Sequence, residues 1–103
     1  MKKTFAAFVT RTDKWDSSRE PMVQEGFEHH AAFVAGLEAD NFVAQAGLMQ
    51  DSNDVLFVFF ADSAAEVRER MSQDPWQRDG RVRLDRVEEI QFRIGAPQQS
   101  AGR

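Results

Sequence analysis

The sequence predicts an α+β fold of ferredoxin-like topology, β-α-β-β-α-β, in which a four-stranded antiparallel sheet carries two helices on one face. Three observations point there. Short apolar runs and longer runs of helical period follow one another in that order along the chain. A polar stretch, Gln-Asp-Ser-Asn-Asp at 50–54, joins two apolar runs as a hairpin would. The length, 103 residues, suits one domain with a thin core.

Residues 4–12 form the first expected strand, with Phe5, Ala6, Ala7, Phe8 and Val9 at its centre. The basic start of the chain resembles the head of a secretion signal. The apolar run behind it is shorter than the about 7–15 residues such a signal needs, and Arg11 and Asp13 follow at once. Residues 12–19 are a polar connection that holds Trp15. Pro21 suits the first position of a helix, where its missing N–H is not needed. That helix is expected over 21–39, with Val23, Phe27, His30, Val34 and Leu37 on one stripe and Met22, Gly26 and Phe33 on its flank. Strands are expected at 42–49 and 55–61, the latter apolar throughout. Ser63-Ala-Ala-Glu66 is a capping-box pattern that opens a second helix facing inward through Ala64, Val67 and Met71. Asp74-Pro75 ends it. After a loop or short helical turn at 75–80, the last strand is expected over 84–94, with Ile90, Phe92 and Ile94 on one face and Gln91 and Arg93 on the other. The domain is placed at 1–95 and a flexible tail at 96–103.

Composition narrows the function. Net charge is −4 with a pI near 5.1, which argues against nucleic acid as a partner, because phosphate binding needs clustered Lys and Arg. Arg78, Arg81, Arg83 and Arg86 are interleaved with Asp79 and Asp85 and read as a solvated surface. No cysteine is present, so disulfides, thiolate metal sites and cysteine nucleophiles drop out. No segment reaches the ~20 apolar residues of a membrane helix, and a cytoplasmic location is expected. Nine Phe and no Tyr make an aromatic surface with no polar handle. Two helices cover one sheet face, yet residues 55–61 do not alternate, so either Leu56, Val58 and Phe60 or Val55, Phe57 and Phe59 would face water. A homodimer packed through that face is expected, with the chain's own loops or tail as the other possible cover. The sites would then lie on the helix side, one per subunit.

His30 lies on the inward stripe, and His29 lies about 100° around the helix from it. A histidine on an apolar stripe is more often a hydrogen-bonded core residue than a catalyst. Asp74, before a proline and beside Trp76, is a routine turn device that is also placed to orient a histidine. One His with one Asp makes a weak metal site, so no metal is expected.

Together, Phe5-Ala-Ala-Phe-Val-Thr-Arg-Thr-Asp-Lys14, His30-Ala-Ala-Phe-Val34, Ala46-Gly47-Leu48, Ser63-Ala-Ala-Glu66-Val67 and Asp74-Pro75-Trp76 with Gly80 behind it resemble the YCII-related (YciI-like) family over nearly the whole chain. The resemblance implies a dimeric α/β barrel and a His–Asp pair, here His30 and Asp74. It implies an enzymatic role without a fixed reaction; one relative is a dehydrochlorinase acting on a chlorinated hydroxyquinol. The chain departs from the pattern at Leu48, where a proline is usual, and at the extra Trp15.

The reading that follows is a cofactor-independent lyase, isomerase or dehydrochlorinase-like enzyme acting on a small organic substrate, aromatic or otherwise unsaturated. His30 would be its acid/base group and Asp74 would orient it. Phe8, Trp15 and Trp76 would line the pocket. Arg11 would anchor an anionic group or sit on the surface. The alternative is a module of the same fold that binds a small ligand without turnover; a heme- or oxygen-handling relative ranks below both.

Overall fold

The structure, a computed structural model, describes residues 2–98. It is an α+β fold. Strands β1 (Lys3–Arg11), β2 (Val43–Leu48), β3 (Val55–Ala61) and β4 (Val82–Glu89) form one sheet in the order β2-β3-β1-β4, every neighbouring pair antiparallel. The two most apolar strands, β1 and β3, take the centre. The polar ones, with Gln45 in β2 and Arg83, Asp85, Arg86 and Glu88 in β4, take the edges, where charged side chains discourage further pairing. Helices α1 (Phe27–Ala39), α2 (Ala64–Met71) and the single-turn α3 (Pro75–Arg78) complete the chain. One apolar cluster joins Phe5, Ala7 and Val9 of β1 and Phe57, Phe59 and Ala61 of β3 to Leu37, Val67, Met71 and Trp76 of the helices.

Local chemistry explains the helix ends. The Ser63 hydroxyl accepts from the Glu66 N–H, and the Glu66 carboxylate accepts from the Asp62 N–H, so two donors at the start of α2 are satisfied reciprocally. Val67 and Met71 are buried below it. Asp74 caps α3 by accepting from the Trp76 N–H.

The first helix differs from expectation. Pro21–Val23 is a separate 3-10 turn, and α1 begins six residues after Pro21, behind Gly26. Gly26 has φ +79, a left-handed value that side chains resist and glycine adopts freely. Val23 therefore leaves the inward stripe and is 56% exposed. The last strand also differs: β4 starts at Val82 and stops at Glu89, and Ile94 is almost fully exposed. Within it, a bulge opposite Phe8 and Val9 breaks the alternation. It inserts Asp85 between two paired residues, so Val82, Leu84 and Val87 all reach the helix side without strict alternation.

The far sheet face carries Leu56, Val58 and Phe60 of β3, beside Thr4, Ala6 and Phe8 of β1. It is drier than the sequence suggests. Val58 and Phe60 are already buried within one chain, while Phe8 and Leu56, partners across the β1–β3 ladder, are half-buried. Pro97 and Gln98 share a recess with Phe60, and the Arg86 guanidinium lies 5.9 Å from the centre of the Phe8 ring. Residues 99–103 of the expected tail lie outside the described residues. Among the described residues, no helix is long and apolar enough to cross a membrane.

Candidate functional site

On the helix side of the sheet lies a cavity of about 300 Å3, between α1, α3, the 13–24 loop and the β2–β3 edge. Ala46 of β2 is small and leaves room under α1, so the helix does not seal the sheet there. Val9, Phe27, Val55, Phe57 and Met71 make most of the wall apolar. The polar groups that reach it belong to Arg11, His30, Asn53 and Asp74.

His30 and Asp74 meet although they lie 44 positions apart. His30 Nδ1 lies 2.9 Å from Asp74 Oδ1 and 3.0 Å from Oδ2. The carboxylate is 2% exposed and the imidazole side chain 20%. Both positions are helix ends: His30 is in the first turn of α1, its N–H donating to the Gly26 carbonyl, and Asp74 is the cap of α3. The carboxylate accepts from the Trp76 N–H at 3.0 Å as well. A carboxylate only accepts, so the proton between the pair sits on Nδ1, and Nε2 is left as the basic nitrogen. The Trp76 ring stacks on the imidazole, centroids 3.8 Å apart and planes 10° apart, and its Nε1–H is held by the Glu25 carbonyl at 2.9 Å. The imidazole is thus fixed by a carboxylate at its edge and an indole on its face.

The wall continues outward. Trp15 meets Trp76 edge-on with centroids 5.1 Å apart, and the Arg11 guanidinium sits 4.2 Å above the Trp15 ring. Trp15 is held by its loop. The buried Gln24 side chain donates to the Asp16 and Arg19 carbonyls and accepts from the Asp16 N–H and the Arg81 guanidinium. In that loop, hydrogen bonds from the Ser18 hydroxyl and Ser18 N–H hold the exposed Asp16 carboxyl below its ordinary range.

Five of the six residues singled out in the sequence, Arg11, Trp15, His30, Asp74 and Trp76, line this one cavity. Phe8 does not. Ala7 and Val9 point to the helices, so Phe8 points to the far face beside Arg86. Arg81 is another correction: its side chain is 12% exposed and tied to Gln24 and Asp79, not part of a solvated basic surface. His29 is exposed, outside the cavity. Sequence reasoning missed Gln24 and Asn53, and put Phe27 on the inward stripe with His30 without assigning it to the site. Asn53 carried a signal, since asparagine favours the left-handed conformation it takes in the turn, φ +64. Gln24 carried none, because its partners are set by tertiary contacts.

Among the described residues, no cluster of three or more His, Cys, Asp or Glu side chains is arranged to hold a metal ion. No protein-family model, curated protein or solved structure matches the chain.

Proposed function

We propose that this protein is a cofactor-independent enzyme that moves a proton on a small unsaturated organic substrate, with His30 as the acid/base group and Asp74 orienting it. The observation that carries the reading is the 2.9 Å contact between His30 Nδ1 and a carboxylate that is 2% exposed, at the edge of a largely apolar cavity. A buried carboxylate stabilises the imidazolium that forms when Nε2 takes a proton, and it fixes which nitrogen does so. Elimination, isomerisation and lyase steps all need that transfer. A cavity of about 300 Å3 lies at the lower end for small-molecule sites, which favours a substrate of one ring or its equivalent.

The strand order β2-β3-β1-β4 is the one a split βαβ fold has, which supports the ferredoxin-like assignment and the YCII-like reading. A homodimer through the far sheet face belongs to the same proposal. Phe8 and Leu56 supply half-buried apolar surface there, toward one end of the two central strands. A single 11.7 kDa species in sedimentation at micromolar concentration refutes the dimer.

The test of the chemistry does not depend on naming the substrate. A library of small enones, β-keto acids and halogenated phenols is incubated with the protein in D2O and followed by NMR. Deuterium incorporation or product formation that is lost in His30→Gln supports the enzyme. Bound compounds with neither exchange nor product favour the alternative, a binding module. His30→Gln matching the wild type removes the dyad from the mechanism.

A further inference from the structure

Arginines in this structure are rarely left both sheltered and unpaired. Of the described arginines, Arg11, Arg70 and Arg81 are half-buried. Arg70 is bound to Asp40, and Arg81 to Asp79 with Glu25 nearby. Among the described residues, Arg11 has no carboxylate partner, although acidic groups outnumber basic ones by 17 to 13. It rests instead on the face of Trp15. Partial burial of a lone cation is unfavourable unless an anion arrives to pair with it.

The position of Arg11 says where that anion would sit. Its side chain lines the cavity that holds His30 and also the polar recess outside, shared with Thr12, Arg19, Glu20, Ser52 and Asn53. It therefore stands at the mouth. Trp15, buried and pinned by its loop, fixes the guanidinium from below. From the His30 ring the wall runs through Trp76 and Trp15 in steps of 3.8, 5.1 and 4.2 Å, so imidazole and guanidinium are within about 13 Å of each other. Among the described residues no ion pair joins Arg11 to Glu20, the exposed carboxylate of that recess, and Asp74, which lines the inner cavity, is already committed to His30 and the Trp76 N–H.

We propose that Arg11 is the anion anchor of this site and that its ligands are small planar carboxylates. The carboxylate pairs with the guanidinium at the mouth, and the unsaturated body lies inward against Trp15 and Trp76. The planar fork of arginine matches a carboxylate by two parallel hydrogen bonds. The cavity is about twice the size of one that holds benzene, so a single-ring acid fits. This rests on the proton-transfer reading for the identity of the site, but anchoring does not require turnover. The fixed positive charge also suits that chemistry, since removing a proton near a carboxylate builds negative charge that a guanidinium stabilises.

Benzoate and benzamide, which share shape and differ in charge, are the probes. Each is titrated into the protein at pH 7, with the fluorescence of Trp15 and Trp76 as the readout and thermal midpoint as a second measure. Wild type is expected to bind benzoate at least tenfold more tightly than benzamide, and added salt to narrow that gap. Arg11→Met keeps the stem over Trp15 and is expected to erase the preference. Arg11→Lys is expected to restore part of it. His30→Gln is expected to keep it, which separates a failure of anchoring from a failure of the proton-transfer reading. Equal binding of the two probes by wild type, binding of neither, or a preference that survives Arg11→Met in a protein of unchanged circular dichroism overturns the proposal.

Discussion

Replacing Asp74 by alanine tests the centre of the site whatever molecule the cavity takes. Two losses add. The Trp76 N–H loses its cap, which costs about 1 kcal/mol. The His30 Nδ1–H, facing a place where the carboxylate was 2% exposed, loses its acceptor, which costs about 1–3 kcal/mol. Asp74→Ala is thus expected to destabilise by roughly 2–4 kcal/mol, and at about 4–8 °C per kcal/mol for a domain of this size the midpoint falls by at least ~8 °C. Asp74→Asn keeps both a cap and an acceptor and should lose about 1 kcal/mol. The imidazole reports separately. A hydrogen bond to a charged group is worth about 1.5–3 kcal/mol, a tenfold or greater bias toward the tautomer protonated at Nδ1. Nitrogen-15 NMR of the ring reads that bias directly, and it should collapse in Asp74→Ala. An unchanged tautomer ratio in the variant, or a stability loss under about 1 kcal/mol, refutes the reasoning.

Three further outcomes follow from the same contacts. Gly26→Ala should cost about 1–2 kcal/mol in urea unfolding, because φ is +79 there while a new Cβ would meet Trp76 only at ordinary contact distance; a neutral result removes the strain argument. Gln24→Leu removes a buried side chain that makes four hydrogen bonds, and should cost about 2–3 kcal/mol and raise acrylamide quenching of Trp15; unchanged quenching shows that the loop is pinned otherwise. The Asp16 carboxyl has a depressed folded-state pKa, so its contribution is complete above the unfolded value of about 3.9 and fades as pH falls through the folded one. The stability gap between wild type and Asp16→Asn should therefore close on acidification from pH 5 toward pH 2, and a constant gap assigns the effect to something other than charge.

Elements with an intact period are legible in the sequence. The apolar run at 55–61, the Ser63-to-Glu66 cap and the inward triplet Ala64, Val67 and Met71 depend on neighbours a few residues away, and all stand where the pattern puts them. The differences sit where a single residue breaks a period. Gly26 reads as part of a helix because its neighbours keep helical spacing, though an isolated glycine in such a pattern is itself a warning. Asp85 makes Val82, Leu84 and Val87 look irregular, while the alternation of Ile90, Phe92 and Ile94 draws the expected last strand past Glu89, where it ends. Phe8 reads as a pocket residue because β1 is apolar on both sides, and only pairing decides which side faces the helices. The His30–Asp74 contact is not legible from spacing, since the two lie 44 positions apart.

The breaks that hide the fold are the ones that build the site. Gly26 stops the chain from running straight from Pro21 into α1, and the first turn of the helix then brings His30 over α3. Pro75 forces Asp74 out of helical geometry, which frees its carboxylate to cap α3 and to meet the imidazole. Small residues in β2 keep α1 from closing on the sheet edge, and the cavity is what remains. Asp74 caps α3, but stability alone does not call for the pair: an apolar pair in place of His30 and Asp74 would pack without the desolvation cost of a buried carboxylate, and such replacements are often neutral or stabilising. Once present, each member of the pair needs the other, but against an apolar pair filling the same space it gives a fold this short no advantage in stability. The pair is better explained by what a fixed imidazole can do to a molecule in the cavity beside it.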